Sequence, residues 1–351
     1  MLYLTAFVGV FAAIFTLRPF AQRAGLIDIP GGRRRHTDPV PLIGGLAISA
    51  GLLLAFVLRT SIPSLGQTAP ALPLPPALLA AALVVLAGGV LDDRLELSAR
   101  VKLLFQIAAA TVLAEFGGSL LLHVGALTSP AVLHLGATLA VPFTVLGMVG
   151  VMNGMNMIDG ADGLAGGVAL SALFWFGAAA WLAGMSGHLS LIALIASAVS
   201  AYLCFNTGGP LARKYKVFLG DAGSLLIGLL LAWTAIELAM EPGAALKPIT
   251  AVWILAVPVC DSVSLMLRRV VRGRSPFAAD REHFHHLLQA AGLSTGQAVA
   301  LIVSTGFSFG GLALSAERLG VPQYAMFYLS MLIFAGYSVL SARFFAKHTQ
   351  S

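Results

Sequence analysis

Charge is what this sequence has least of. Only 10% of its 351 residues are Asp, Glu, Lys or Arg, against about 25% in an ordinary soluble domain. With 58% hydrophobic residues and a mean hydropathy of +0.90, that deficit argues against a soluble globular class. Cysteine is nearly absent too. Cys204 and Cys260 both fall inside apolar runs, where they read as small buried hydrophobes and not as a disulfide or thiolate centre. There is no P-loop and no Ser or Cys nucleophile elbow. Nor is there the period-2 alternation of a membrane barrel, so any spans are helical. No positive charge precedes the first apolar run; Arg18 follows it. Residues 1–17 therefore read as an uncleaved first span and not as a secretory signal.

What is present is a series of apolar runs of about 17–22 residues, long enough to cross a bilayer as helices. They lie near 1–17, 42–58, 72–91, 101–118, 133–152, 164–184, 188–205, 224–240, 248–267, 297–316 and 321–342. The expectation is an all-α polytopic membrane protein of about eleven transmembrane helices. It is a single domain over 1–351, with a His/Arg loop at 268–296 inside it. Pro142 and Pro258 are expected to kink their spans. Of the 21 Lys and Arg residues, the segments after even-numbered spans hold only Arg59, Lys247 and Arg318. Basic residues gather on the cytoplasmic side of membrane proteins, which predicts the N-terminus outside and the C-terminus in the cytoplasm. The net charge of +6 then reads as topology first and attraction to anionic lipid second, with nucleic acid a poor third.

The polar, glycine-punctuated stretches all fall in the odd-numbered segments, so one site built from five loops on one face is expected. No Asp, Glu, Lys or Arg lies between Glu115 and Asp159, or between Asp162 and Arg213. In such a chain, Asn153, Asn156, Asp159 and Asp162 at steps of three mark a site. A step of three turns 300° on a helix. The four share a wall only if the helix ends before Asp159, as Gly160 and Gly163 suggest. The first segment offers Arg33, Arg34, Arg35 and His36 before Pro39 and Pro41, either a lipid-side anchor or a phosphate site. Asp92-Asp93 ends the third span. Adjacent carboxylates repel unless a metal or a cation such as Arg94, Arg100 or Lys102 stands by, which favours a general base or a metal ligand. The stretch 214–224 carries Lys216, Asp221, Gly220 and Gly223. The glycines would admit a ligand closely, Ser224 would cap the next helix, and the helix start favours an anion. Asn206, at the end of span seven, could read a base or sugar. Asp280, Arg281, His283, His285 and His286 crowd the ninth segment. Zinc is a minor alternative there to a phosphate-binding or acid–base His cluster. Asp261, inside span nine and one or two turns from Arg268, is expected either to pair with a basic residue there or to take a direct part in the chemistry.

Carboxylates for Mg²⁺ and cations for phosphate suit phosphoryl transfer, which needs charge neutralisation and positioning above all. A transporter is the competing class, but it should place ionisable groups near the midplane of several spans; here they collect at one surface.

Taken in order, the motifs resemble one family, the polyprenyl-phosphate N-acetylhexosamine-1-phosphate transferases, along nearly the whole chain. The residues that carry the resemblance are the 33–45 loop, Asp92-Asp93 with Arg100 and Lys102, the 153–164 stretch, 218–224 and 283–286. The muramoyl-pentapeptide branch usually has a Lys and a Thr-Pro-Thr tract in its first loop and three consecutive His in the ninth. The Arg-rich first loop and the His-x-His-His pattern here are similar to the N-acetylglucosamine branch. The resemblance implies transfer of GlcNAc-1-phosphate from UDP-GlcNAc to undecaprenyl phosphate, releasing UMP, with Mg²⁺ or alternatively Mn²⁺, at the bacterial cytoplasmic (inner) membrane. Another UDP-N-acetylhexosamine, including UDP-MurNAc-pentapeptide, is the alternative donor, and a homodimer is compatible with the scheme. It further implies Asp221 and Asp92 at the metal, and Asp92 as the acid that deprotonates lipid phosphate, with Asp93 beside it. Asn156, Asp159 and Asp162 fall to nucleotide or metal, Asn206 to uridine, and Lys102 to the pyrophosphate. His283, His285 and His286 fall near the diphosphate and sugar. Arg35, His36, Asn153, Lys216 and Arg281 complete the expected substrate contacts.

Overall fold

The computed structural model describes residues 1–29, 38–62, 70–275 and 282–348. Among them the regular elements are helices and one two-stranded ribbon. In order the elements are α1 (Leu2–Ala21), β1 (Ile27–Asp28), β2 (Val40–Pro41), α2 (Gly44–Ser61), α3 (Pro76–Leu95) and α4 (Ala99–Gly117). Then follow α5 (Ala137–Ile158), α6 (Leu164–Leu182), α7 (Ser186–Asn206), α8 (Pro210–Tyr215) and α9 (Gly220–Met240). The last five are α10 (Pro248–Ile254), α11 (Ala256–Val271), α12 (Phe284–Ala290), α13 (Thr295–Arg318) and α14 (Gln323–His348).

Local chemistry sets several of these boundaries. Pro76, Pro210 and Pro248 occupy the first turns of their helices, where the missing N–H costs nothing. Ser294 and Gln297 close a capping box at the start of α13, satisfying two of the orphan donors there. Pro258 has no N–H for the Ile254 carbonyl, and its ring crowds that turn. The expected kink there is a 78° bend between α10 and α11. Pro142 lies within α5, which continues past it as one helix.

Nine helices among the described residues are long and apolar enough to cross a membrane, ten if the bent α10–α11 pair is one span. The protein is therefore an all-α, multi-pass membrane protein. Each of the eleven expected segments is helical. The one that falls outside this set is α4, which carries Arg100, Lys102, Gln106 and Glu115.

The centre of the bundle is α9. Of its apolar window 89% is buried, against 11% for Gln323–Phe345 at the edge. It packs against α2, α3, α5 and α6. Close approach at its start depends on small residues. A Cβ added at Gly89 of α3 would lie 2.2 Å from the Ala222 Cα, and one at Gly45 of α2 would lie 2.3 Å from the Gly223 nitrogen. The ribbon is tied to the same place: Phe218 N–H donates to the Pro41 carbonyl (2.9 Å), and Gly44 N–H to the Phe218 carbonyl (2.9 Å). The start of α9 is thus gripped from three sides.

Candidate active site

Helix α9 begins one turn earlier than the sequence suggests. Its first residue is Gly220, so Asp221 lies in the first turn and Ser224 lies inside the helix and is not its cap. The cap comes from another helix. Asp93, near the end of α3, accepts from Asp221 N–H (2.7 Å) and Ala222 N–H (3.2 Å). These are orphan donors of a helix start, and a carboxylate there also complements the helix dipole. Gly220 and Gly223 admit protein and not a ligand. A Cβ on Gly220 would lie 2.6 Å from Asp93 Oδ2, and Gly223 faces Gly45.

Around this start the carboxylates share one ammonium. Lys102, in the first turn of α4, forms an ion pair with Asp92 and donates to Asp221 Oδ2 at 2.8 Å. Asp92 is 4% exposed, and its Oδ1 accepts Leu97 N–H at 2.7 Å. Asn156 Nδ2 donates to Asp221 Oδ1 (2.7 Å) and to Ser224 Oγ (2.9 Å). The α5 helix ends at Ile158, as the spacing of the polar residues required, and Asp159 is its C-terminal cap residue. Asp159 stands off the helix, facing the cavity. Lys216 Nζ donates to Asp162 Oδ2 across the mouth at 2.6 Å.

A cavity of about 870 Å³ lies over this floor. Its lining comes from all five expected segments: Ile27, Asp28 and Leu42 from the first, then residues within 92–102, 156–162, 206–221 and 285–295. It holds seven carboxylates, Asp28, Asp92, Asp93, Glu96, Asp159, Asp162 and Asp221, against the ammoniums of Lys102 and Lys216. The excess of negative charge has a consequence. Burial and the nearby Asp221, Asp93 and Asp162 carboxylates push Asp159 up to about 8. Among the described residues no hydrogen bond reaches its carboxylate. An all-oxygen, electron-rich donor set of this kind fits a hard divalent cation. Asp92 Oδ2, buried with no hydrogen-bond donor beyond its ion pair, and the unbonded Asp159 are where it would gain most.

The imidazoles form the opposite wall. His285 is 2% exposed, and neither ring nitrogen has a hydrogen-bond partner. Burial, with His286 and His283 close by, lowers it to about 3, so it is neutral at physiological pH. Its ring presses on Gly160, where an added Cβ would meet Nε2 at 2.8 Å. The His285 and His286 rings are 4.0 Å apart. Three imidazoles do gather, but no metal cluster of His with acid ligands forms from them among the described residues.

Other expected site residues are placed differently. His283 does not line the cavity. Its Nδ1 is 3.1 Å from Asp261 Oδ2, and Asp261 also accepts from Tyr337 Oη at 2.7 Å. Asp261 therefore pairs with His283 and Tyr337 and not with Arg268, which donates to Ser264 and Ser341. Asn153 lies one turn too deep. Its amide donates to Gln106 Oε1 (2.6 Å) and the Val149 carbonyl (3.0 Å). Asn206 touches the cavity, yet its amide is committed to Gly163 N–H (2.6 Å) and the Val217 carbonyl (3.1 Å). Arg35, His36 and Arg281 lie outside the described residues. The sequence reading missed Asp28, Glu96, Gln289 and Thr295 on the wall. Asp28 and Glu96 were visible as acids within a few residues of motifs already singled out.

Comparison with known proteins gives the family of the chain. Residues 75–239 match the model of glycosyl transferase family 4. The chain is similar to the undecaprenyl-phosphate alpha-N-acetylglucosaminyl 1-phosphate transferase of Haemophilus influenzae, 36% identical over 93% of this chain and 90% of that one. It is 34% identical to the Escherichia coli protein of the same name over 92% of this chain and 85% of the relative. The Yersinia pestis protein of that name is also 34% identical, over 94% and 88%.

Proposed function

The chain belongs to glycosyl transferase family 4, and from that premise we propose that it transfers GlcNAc-1-phosphate from UDP-GlcNAc to undecaprenyl phosphate. That it is a polyprenyl-phosphate sugar-1-phosphate transferase follows from membership; the donor and the roles below are the proposal. An oxygen of the lipid phosphate attacks the phosphorus that bears the sugar. The bond from that phosphorus to the bridging oxygen breaks, and UMP departs with the electron pair. The products are undecaprenyl-diphospho-GlcNAc and UMP.

The observation that carries the reading is the sharing of Lys102 between Asp92 and Asp221 at the start of a buried helix. A diphosphate entering the cavity competes for that ammonium. Moving it toward phosphate oxygen leaves Asp92 without its cation, as a buried carboxylate able to take a proton from the lipid phosphate. Asp93 holds the α9 N-terminus in place. Asp162 and Lys216 face each other at the mouth, where a nucleotide would enter. His285, neutral, offers one N–H and one lone pair to the diphosphate or sugar. Asp92, Asp159 and Asp221 would hold Mg²⁺, with Mn²⁺ as the alternative. When bound, the ion supplies neutralisation of diphosphate charge. The Lys and Arg distribution supports a cytoplasmic-facing cavity in a bacterial inner membrane.

The test uses purified full-length protein with labelled UDP-GlcNAc, undecaprenyl phosphate and Mg²⁺. One UMP per lipid-linked sugar is expected. A donor panel that includes UDP-MurNAc-pentapeptide separates the sugars. Turnover with another donor alone would replace the GlcNAc assignment, and no turnover with any would overturn the reading.

A further inference from the structure

We propose that His188, Glu237 and Glu241 form a binding site for a transition-metal dication of the zinc class, at the opposite end of α9 from the carboxylate cavity. One nitrogen or oxygen from each residue lies within 4.8 Å of those of the other two. His188 is in the first turn of α7. Glu237 and Glu241 lie in the last turn and at the C-terminal cap of α9. On α9 that is about 24–30 Å beyond Asp221, at 1.5 Å per residue, so this cluster is separate from the cavity described above.

The second observation is the imidazole itself. His188 is 8% exposed, and its Nε2 is buried, aimed at the two carboxylates, with no hydrogen-bond partner. Glu241 Oε1 is 3.7 Å away, beyond hydrogen-bonding range. In a tetrahedral zinc site with ligand bonds of about 2.0–2.2 Å, neighbouring ligand atoms stand about 3.4 Å apart. The gap is therefore wrong for a hydrogen bond and near right for two ligands of one ion. The two glutamates are four residues apart at a helix C-terminus. Like charges at that spacing repel, and the dipole there disfavours anions. A dication between them reverses both penalties.

The surroundings are those of a metal site. Ser119 Oγ donates to Glu237 Oε1 at 2.6 Å and accepts from Trp233 Nε1 at 3.1 Å, fixing the carboxylate as outer partners of a ligand do. One imidazole with two carboxylates is a poor set for Mg²⁺ or Ca²⁺, which take oxygen, and a good one for zinc. The Glu241 side chain is 39% exposed, which leaves a path in and a fourth position for water. Binding would join α7 to α9 at that face of the bundle.

The experiment titrates chelator-stripped full-length protein with ZnCl₂ against a chromophoric competitor and counts bound zinc by mass spectrometry. The proteins are wild type, Asp221→Asn, His188→Gln and Glu241→Gln. One tight zinc per chain is expected in wild type and in Asp221→Asn. A loss of affinity of at least tenfold is expected in His188→Gln and in Glu241→Gln, both with unchanged transferase turnover. X-ray absorption at the zinc edge should show one nitrogen and two carboxylate ligands. Equal affinity in wild type and both variants, zinc lost on Asp221→Asn alone, or no tight zinc in wild type each overturn the proposal. If His188→Gln fails to fold, the partly exposed Glu241→Gln carries the test.

Discussion

The two ends of α9 meet the same difficulty in different ways. Each brings carboxylates together in a chain with few charges to spare. At the N-terminal end one carboxylate, Asp93, satisfies the helix start, and one ammonium, Lys102, is divided between two others. That leaves a cavity of about 870 Å³ with acids in excess. At the C-terminal end three possible ligand atoms lie within 4.8 Å of one another. The dipole sharpens the contrast: it favours phosphate at the first end and a cation at the second. One helix thus offers a roomy, open site for a charged substrate and a cramped one for an ion. The first is built to change occupants and the second to keep one.

The largest effect expected is at the first end. Asp221→Asn should lower turnover about 10²- to 10³-fold, the scale of removing one preorganised charge-stabilising group. It should leave zinc affinity at the far end unchanged, since sites this far apart act independently. Steady-state UMP release alongside the zinc titration measures both, and a joint loss would mean that the ends are not separate. Next is Gly160→Ala. A Cβ there would meet the buried His285 ring at 2.6 Å, so the ring must move off the wall. We expect about a tenfold fall in turnover from misplacing one group by a fraction of an ångström to one ångström. Wild-type turnover in this variant would remove His285 from the reaction.

Much of the first end was legible in the sequence, and the reason is scarcity. Against a background without charge, Asp92-Asp93, Asp159, Asp162 and Asp221 stood out, and glycines announced where α5 must stop. The second end was not legible. His188, Glu237 and Glu241 are single residues at the ends of apolar runs and belong to no local motif; only the tertiary fold brings the start of α7 beside the end of α9. The same limit explains His283. Nothing in its spacing reveals that Asp261 and Tyr337, from two other helices, claim its ring. Asn206 and Asp93 were read as ligand-facing because the sequence cannot show which backbone groups a fold leaves unsatisfied.

Asp93 gives a smaller test. Asp93→Ala removes the acceptor for two N–H groups at the start of α9, and loss of such a cap costs about 0.5–2 kcal/mol. Asp93→Asn keeps an acceptor and should recover most of that. A thermal-unfolding series should rank wild type, Asn, Ala. If Asn and Ala are equally inactive yet as stable as wild type, Asp93 acts on substrate directly and not by holding the helix.

The smallest effect concerns His285 and pH. Its folded-state value, lowered to about 3 from 6.5, means that the unfolded chain takes up the proton first as pH falls. Stability from the neutral, buried ring is then full above about pH 6.5 and is lost progressively between 6.5 and 3. In His285→Gln no such group titrates. The gap in melting temperature between wild type and variant should therefore be constant above pH 7 and shift against wild type below pH 6. A gap that does not change with pH would mean that the ring takes up its proton at the same pH in the folded and unfolded chain. The wall would then gain positive charge toward the diphosphate below about pH 6.5, and in that range the acid excess that sets this end of α9 apart from the other would be smaller than the geometry gives.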